Sequence, residues 1–201
     1  GIAIHATFLE RNAKWLKETS TFTLDKPIVG GARIRVDSPD IEAPPLPEAA
    51  VTPPVPLKLS QYALVVKSLE DVSAYWERLG FPKMDVTHGT LTDLVHRGKP
   101  GTFDQRLGWH RHGTVTWEWI EPLRGPTVYD EHLARHGEGF HHFAFDVPDM
   151  DAAIRAFAAA GVPATQSGGW GEKGKPGSGR FAYVETEAFG GVSTEFLWNH
   201  R

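Results

Sequence analysis

Residues 142–162, His142-Phe-Ala-Phe-Asp-Val-Pro-Asp-Met-Asp-Ala-Ala-Ile-Arg-Ala-Phe-Ala-Ala-Ala-Gly-Val162, align without a gap on residues 61–81, Gln61-Tyr-Ala-Leu-Val-Val-Lys-Ser-Leu-Glu-Asp-Val-Ser-Ala-Tyr-Trp-Glu-Arg-Leu-Gly-Phe81. Ala63 lies over Ala144, Val66 over Val147, Leu69 over Met150, Trp76 over Phe157 and Gly80 over Gly161. A repeat of this kind is the signature of a supersecondary unit that buries its apolar face only against a second copy. Each copy reads strand, cap, helix, stop. Ser68 and Asp149 stand where an N-cap oxygen accepts free helix N–H groups, and Asp71 extends the first into a capping-box-like spacing. Val72, Tyr75, Trp76 and Leu79 then fall on one helical face, as do Met150, Ile154 and Phe157. Gly80 and Gly161 are able to take the left-handed conformation that ends a helix.

Strand signals follow in both copies: 83–86, 91–96 and 114–120 in the first, 164–166, 180–185 and 191–198 in the second. Each unit is therefore βαβββ, and the predicted fold is α+β. One such unit leaves a sheet face uncovered, so two tandem βαβββ modules, 57–126 and 127–201, are expected to enclose a cavity between their sheets. The second carries a leading helix over 127–137. Strand side chains alternate faces. Tyr62, Leu64 and Val66, with Phe143, Phe145 and Val147, share the parity that packs beneath the helices. Gln61 and His142 take the other parity, beside small Ala63 and Ala144. Trp117 and Trp119, expected under the first helix, leave Glu118 on the far face. Thr194 and Phe196 do the same for Glu195.

Four polar side chains from repeat-equivalent positions thus point at one cavity: Gln61, Glu118, His142 and Glu195. Glu118 follows Gln61 by 57 residues, and Glu195 follows His142 by 53. A carboxylate facing an enclosed space is costly without a partner. Three oxygen ligands and one imidazole around a divalent cation remove that cost. The alternative is four polar residues on solvent-facing strands, and the symmetry imposed by the repeat favours the metal.

Composition removes other classes. The 201 residues carry 21 basic and 25 acidic side chains, for a net charge of −4, with no run of either sign. A nucleic-acid surface would show a basic cluster, so no nucleic-acid partner is expected. No apolar run approaches membrane-spanning length or a signal-peptide core, so no membrane partner is expected either, and the expected location is cytoplasmic. The absence of Cys excludes disulfides, thiolate metal sites and a Cys nucleophile. Residues 43–56 hold six prolines in fourteen positions, which enforces extended backbone. Residues 1–56 therefore read as an N-terminal arm and Pro-rich linker. Within it, 8–17 suits a short helix, and Ile34 and Val36 alternate with charged neighbours as in a strand. The arm packs on the body, or else acts as a lid or an exchanged element.

The stretches Glu138-Gly-Phe-His-His-Phe-Ala-Phe-Asp-Val-Pro-Asp-Met-Asp151, Gly179-Arg-Phe-Ala-Tyr-Val184 and Gly190-Gly-Val-Ser-Thr-Glu-Phe-Leu197 resemble the vicinal oxygen chelate superfamily. That group includes glyoxalase I, methylmalonyl-CoA epimerase, extradiol dioxygenases and fosfomycin-resistance proteins. The resemblance covers roughly 57–201. The helix-like stretch before Gly139-Phe-His-His142 is most similar to the epimerase branch. The order Gln61, Glu118, His142, Glu195 is instead similar to zinc-type glyoxalase I. Residues that hold glutathione in those enzymes do not carry over, since Val65, Pro122 and Glu138 stand where basic and amide groups are expected. Of the adjacent pair, His142 has the repeat-equivalent position, which leaves His141 as a flanking residue.

The resemblance implies one divalent ion (zinc, nickel, cobalt, manganese or iron) and a small-molecule substrate. The implied activity is that of a metal-dependent lyase, isomerase or epimerase acting on a small α-oxygenated carbonyl compound. Lewis-acid polarisation acidifies the C–H beside the carbonyl and stabilises the resulting enediolate. Glu195 is the first candidate for the general base and Glu118 the second. A ring-cleaving non-haem iron dioxygenase is the alternative enzyme, although its usual two-His, one-carboxylate set is not met with Gln61 in first place. A metal-free small-molecule binding module is the third reading. The modules close one site within a chain, or pair across a homodimer. Asp93 is a further candidate base by loose resemblance. His110 and His112 line the pocket if their strand runs unbroken through Gly113, and otherwise lie in a surface loop. The stretch 168–179, with six Gly in twelve, is a hairpin, or a loop over the cavity bringing Trp170 and Lys173 or Lys175 to a ligand.

Overall fold

The computed structural model describes residues 21–24, 34–37, 57–188 and 190–200. By its contacts the chain divides into a unit over Gly1–Pro45 and another over Leu46–Arg201. In the first, β1 (Thr21–Leu24) and β2 (Ile34–Asp37) pair antiparallel, with Thr21 opposite Asp37. The alternation at Ile34 and Val36 locates β2. The helix expected over 8–17 and the linker over 43–56 lie outside the described residues.

In the second unit the elements run β3 (Lys58–Val65), α1 (Leu69–Arg78), β4 (Asp85–Thr87), β5 (Leu91–His96), β6 (Lys99–Pro100), β7 (Asp104–His112) and β8 (Val115–Arg124). They continue through α2 (Val128–His136), β9 (Gly139–Asp146), α3 (Met150–Ala159), β10 (Ala164–Trp170), β11 (Gly179–Val184) and β12 (Ser193–Asn199). Helices α1 and α3 begin where caps were expected. The Ser68 hydroxyl accepts from the Asp71 N–H at 3.1 Å, and the Asp149 carboxylate accepts from the Ala152 N–H at 2.9 Å. Gly80 and Gly161 follow the last turns with φ of 89° and 82°, a region that only glycine enters without strain. Removing either cap oxygen (Ser68→Ala or Asp149→Ala) should cost about 1 kcal/mol. In a calorimeter that lowers the melting temperature by about 2–4 °C; unchanged melting would show that water replaces the cap without loss.

All strands of this unit form one ten-stranded sheet in the order β4-β7-β8-β3-β9-β12-β11-β10-β5-β6. At its centre β3 and β9 run antiparallel, each with a parallel neighbour, β8 and β12 respectively. The expected segment 91–96 does form a strand, but β5 pairs with β10 on the far side of the sheet. Only residues 88–90 separate β4, at one edge, from β5, near the other. The chain itself therefore joins the sheet's two ends, and a sheet so joined must curl around an interior.

Three apolar clusters follow from this curl. Beneath α1, Val66, Leu69, Met84 and Trp119 are buried, with Leu64, Val72, Trp76 and Trp117 packed on them. The Trp76 and Trp117 rings meet edge-on at 4.8 Å, a favoured aromatic geometry. Beneath α3, Val147, Met150, Ala153, Ala182 and Phe196 play the same part. The third cluster lies on the concave face. There α2 brings Val128 and Tyr129 against Ala63, Val65, Ile120 and Tyr183, and so fills one end of the interior. Three residues expected beneath the helices are instead exposed: Tyr75 and Leu79 on α1, and Phe143 on β9. A ten-residue helix covers only a narrow stripe of sheet, so residues at the margins of its apolar face stay in water.

Candidate metal centre

Four neighbouring strands carry the four polar residues that the repeat singled out. β3 presents Gln61, β8 Glu118, β9 His142 and β12 Glu195, with Ala63 opposite Glu118 on one side and His142 on the other. The small Ala63 and Ala144, both fully buried, leave room above the sheet between the longer side chains. One oxygen each from Glu118 and Glu195 and one imidazole nitrogen of His142 lie within 4.8 Å of one another. His142 Nε2 stands 3.1 Å from Glu195 Oε2 and 3.5 Å from Glu118 Oε2. Gln61, Glu118 and Glu195 line one cavity of about 670 Å3. The four atoms Gln61 Oε1, Glu118 Oε2, His142 Nε2 and Glu195 Oε2 are buried without a hydrogen bond. Buried polar atoms seldom remain so. Two buried carboxylates around one imidazole, with a buried amide oxygen lining the same cavity, form a donor set that suits a cation, so the residues present fit a divalent metal.

Charge is strained in the same direction. Burial, opposed by His142 and assisted by the nearby Glu195 charge, holds the Glu118 carboxyl above the usual carboxylate range. Burial alone would lower His142, yet Glu195 and Glu118 outweigh it and raise the imidazole from 6.5 to about 9. A proton on His142 is thus what partly neutralises the two carboxylates when no metal is bound.

His141, read as a flanking residue, lies inside instead. Ala63 pairs with His142 but Leu64 pairs with Phe140, so His141 is an extra residue in β9, a bulge that breaks the alternation. Its side chain is buried, and its Nδ1 lies 2.9 Å from His142 Nδ1. For His142 Nε2 to offer a lone pair, the His142 proton must sit on Nδ1 and be donated to His141. Burial and the His142 charge push His141 well down, so it stays neutral and able to accept. His141→Phe, which keeps ring volume but removes the acceptor, should weaken zinc binding 10- to 100-fold. His141→Asn, which restores an acceptor, should recover part of that loss. Equal affinities by competition with a chelator would show that the contact does not orient the ligand.

The remaining expectations divide. Trp170 lines the cavity. Lys173 is exposed and pairs with Asp93 at 3.5 Å, and Asp93 is itself largely exposed. Asp93 is therefore a surface acid with a lysine partner, in the outer cleft of about 740 Å3 around the start of α3. Gly113 adopts a φ of 63° in the turn between β7 and β8, so strand parity does not carry through it. His110 accordingly points away from Glu118. It is buried between α1 and the sheet, near Trp119 Nε1 and the Pro82 carbonyl. The inward face of β7 presents Gln105, Leu107, Trp109 and Arg111, and Trp109 lies opposite Glu118. The sequence alone does not single out these four, because their parity is fixed only by that pairing. Tyr129 and Tyr183 also line the cavity, their hydroxyls 2.9 Å apart. Burial, with the Glu195 and Glu118 charges, keeps both phenols well above their usual range and hence neutral.

Residues 60–183 match a family model described as the glyoxalase/bleomycin resistance protein/dioxygenase superfamily. Among solved structures, methylmalonyl-CoA epimerase from Mycobacterium tuberculosis is 20% identical over 77% of this chain and 95% of its own, with a TM-score of 0.49. A Streptomyces coelicolor methylmalonyl-CoA epimerase variant in complex with 2-nitronate-propionyl-CoA is 21% identical over 73% of this chain and 100% of its own, also at 0.49. No curated protein matches the sequence. Among the described residues, no helix is long and apolar enough to cross a membrane.

Proposed function

Since the chain belongs to the glyoxalase/bleomycin resistance protein/dioxygenase superfamily, we propose that it is a metal-dependent isomerase, epimerase or lyase acting on a small α-oxygenated carbonyl compound. The observation that carries this reading is the buried cluster in which His142 Nε2 lies within 3.5 Å of a carboxylate oxygen of both Glu118 and Glu195, with Gln61 Oε1 buried without a hydrogen bond. These residues would hold one divalent ion. When bound, such an ion supplies Lewis-acid polarisation of a carbonyl, which acidifies the neighbouring C–H. The protein's own part is proton transfer and exclusion of water. Glu195 and Glu118 are the carboxylates that would take and return the proton. Tyr129 and Tyr183 are neutral and share one hydrogen bond between their hydroxyls, which leaves one hydroxyl proton of the pair to donate in the same cavity.

A second reading, ring cleavage by non-haem iron, needs two imidazoles and one carboxylate. Here, among the described residues, His141 is the histidine that contacts His142, and it turns its Nδ1 toward that residue's Nδ1, while the remaining donors are oxygens. The donor set therefore favours the isomerase or lyase class. Metal analysis of protein purified without added metal separates the two: zinc, nickel or cobalt is expected, and iron with oxygen uptake would favour the dioxygenase. As a direct test, the loaded protein incubated in D2O with an α-hydroxyketone should catalyse exchange at the α-carbon. The rate should fall at least 100-fold in Glu118→Gln or Glu195→Gln. Exchange no faster than in buffer across a panel of α-oxygenated ketones would overturn the reading.

A further inference from the structure

The cavity wall carries two indoles and a guanidinium in a fixed order. Trp109 donates its indole N–H to the Thr87 hydroxyl at 2.8 Å, which sets the plane of the ring. The Arg111 guanidinium lies 5.6 Å from the centre of that ring. Trp170, which lines the same cavity, rests on Gly179 so closely that a Cβ there would overlap the indole. Both tryptophans are thus held in place before any ligand arrives. Along β7, Trp109 stands level with Glu118, and Arg111 stands level with Thr116. Two residues of strand amount to about 7 Å, roughly the span of a six-membered ring with its substituents. Among the described residues that line the cavity, Arg111 is the lone cationic side chain. Two carboxylates, a neutral imidazole and a divalent ion sum to no net charge, so an anion at Arg111 meets little opposition once the metal is bound.

We propose that the substrate is an aryl carbonyl compound carrying an anionic group, such as a carboxylate, on the far side of its ring. This inference rests on the functional reading above for the placement of the reacting end. The vicinal oxygens lie at Glu118, His142 and Glu195, the ring lies against Trp109 and Trp170, and the anion meets Arg111. Aromatic contacts of this kind are selective for planar ligands, and a guanidinium held over an indole is preorganised for a carboxylate. A nucleotide-linked thioester would bring several phosphates to a mouth with one cation, and it is disfavoured on that ground.

Three probes with the same α-hydroxyketone head separate the parts: hydroxyacetone, 2-hydroxyacetophenone and 4-(hydroxyacetyl)benzoate. Titration calorimetry on the zinc-loaded protein should find the aryl ketone about tenfold tighter than hydroxyacetone. The aryl carboxylate should be tighter again by about threefold or more. Arg111→Gln should remove the second gain, and Trp170→Leu should reduce the first, while zinc affinity stays at the wild-type value in both. Equal affinities for the three probes, no gain lost in Arg111→Gln, or displacement of the aryl probe by coenzyme A would overturn the inference. Zinc titration of the same samples tests the underlying reading separately. If zinc binds and the probes are not distinguished, only this inference fails. If zinc does not bind, the proposed function fails, and the same ranking measured on the metal-free protein decides this inference alone.

Discussion

Glu195→Gln should abolish tight zinc binding and leave the fold standing. The amide keeps the shape of the carboxylate, so Phe196, Tyr183 and the β11–β12 pairing around it need not move. What changes is charge. Glu195 Oε2 lies 3.1 Å from His142 Nε2, and its charge helps to raise Glu118. Replacing it exchanges an anionic ligand oxygen for a neutral amide oxygen, a weaker donor to a cation, and relieves repulsion between two buried carboxylates. The metal-free variant should therefore melt at or above the wild-type temperature in alkaline buffer. The wild type at a zinc concentration one hundred times its dissociation constant gains about 2.7 kcal/mol, or about 5–10 °C for a chain of this length. A variant that binds at least 100-fold more weakly gains less than about 0.5 kcal/mol at the same concentration. Its zinc-induced shift then falls to about 1 °C. Full retention of both zinc and the melting shift would remove Glu195 from the ligand set and, with it, the functional reading.

Much of this site was legible in the sequence because two periodicities agree. The 81-residue offset between the copies puts Gln61 under His142. The two-residue period of a strand then puts both on the face away from the helices. Glu118 and Glu195 follow from the same alternation beside Trp117, Trp119, Thr194 and Phe196. Where alternation is broken, the sequence misleads. At His141 a bulge adds one residue to β9 and turns a second imidazole inward. At His110 the turn at Gly113 resets parity, so a histidine expected either in the pocket or on a surface loop lies under α1. The pairing of β5 with β10 was illegible for another reason. Its partner is set by how far the whole sheet curls, and no local pattern in Leu91–His96 encodes that. The wall formed by Trp109 and Arg111 depends on the pairing of Trp109 with Glu118, which only the folded sheet supplies.

Zinc affinity should rise steeply with pH, and the stability of the metal-free protein should fall over the same window. Both follow from His142. Burial works against its charge, but Glu195 and Glu118 raise its pKa from 6.5 to about 9 in the folded protein. A group raised on folding contributes stability that is fully present below the unfolded value and disappears as pH climbs through the folded one. Glu118, also raised, acts in the same sense, because the folded state holds its proton more tightly than the unfolded state does. Between the unfolded and folded values of His142, 6.5 and about 9, the metal-free protein therefore loses stability as pH rises. The loss is at most about 1.4 kcal/mol per pH step for each proton that the folded state alone retains, and the melting temperature should decline by several degrees. Zinc must displace the His142 proton to reach Nε2. Each such proton costs about a decade of affinity per pH step below the group's pKa, so the affinity should climb about tenfold per step and level off near 9. In the zinc-loaded protein the ion takes over the neutralising role, and the melting temperature should stay nearly flat across the window. Glu195→Gln, which removes the largest single influence raising His142, should flatten the metal-free profile as well. Competition titrations against a chelator of known proton affinity read the first slope, and calorimetry reads the second. A zinc affinity independent of pH across this window would mean that the metal binds without displacing this proton, and therefore at residues other than His142.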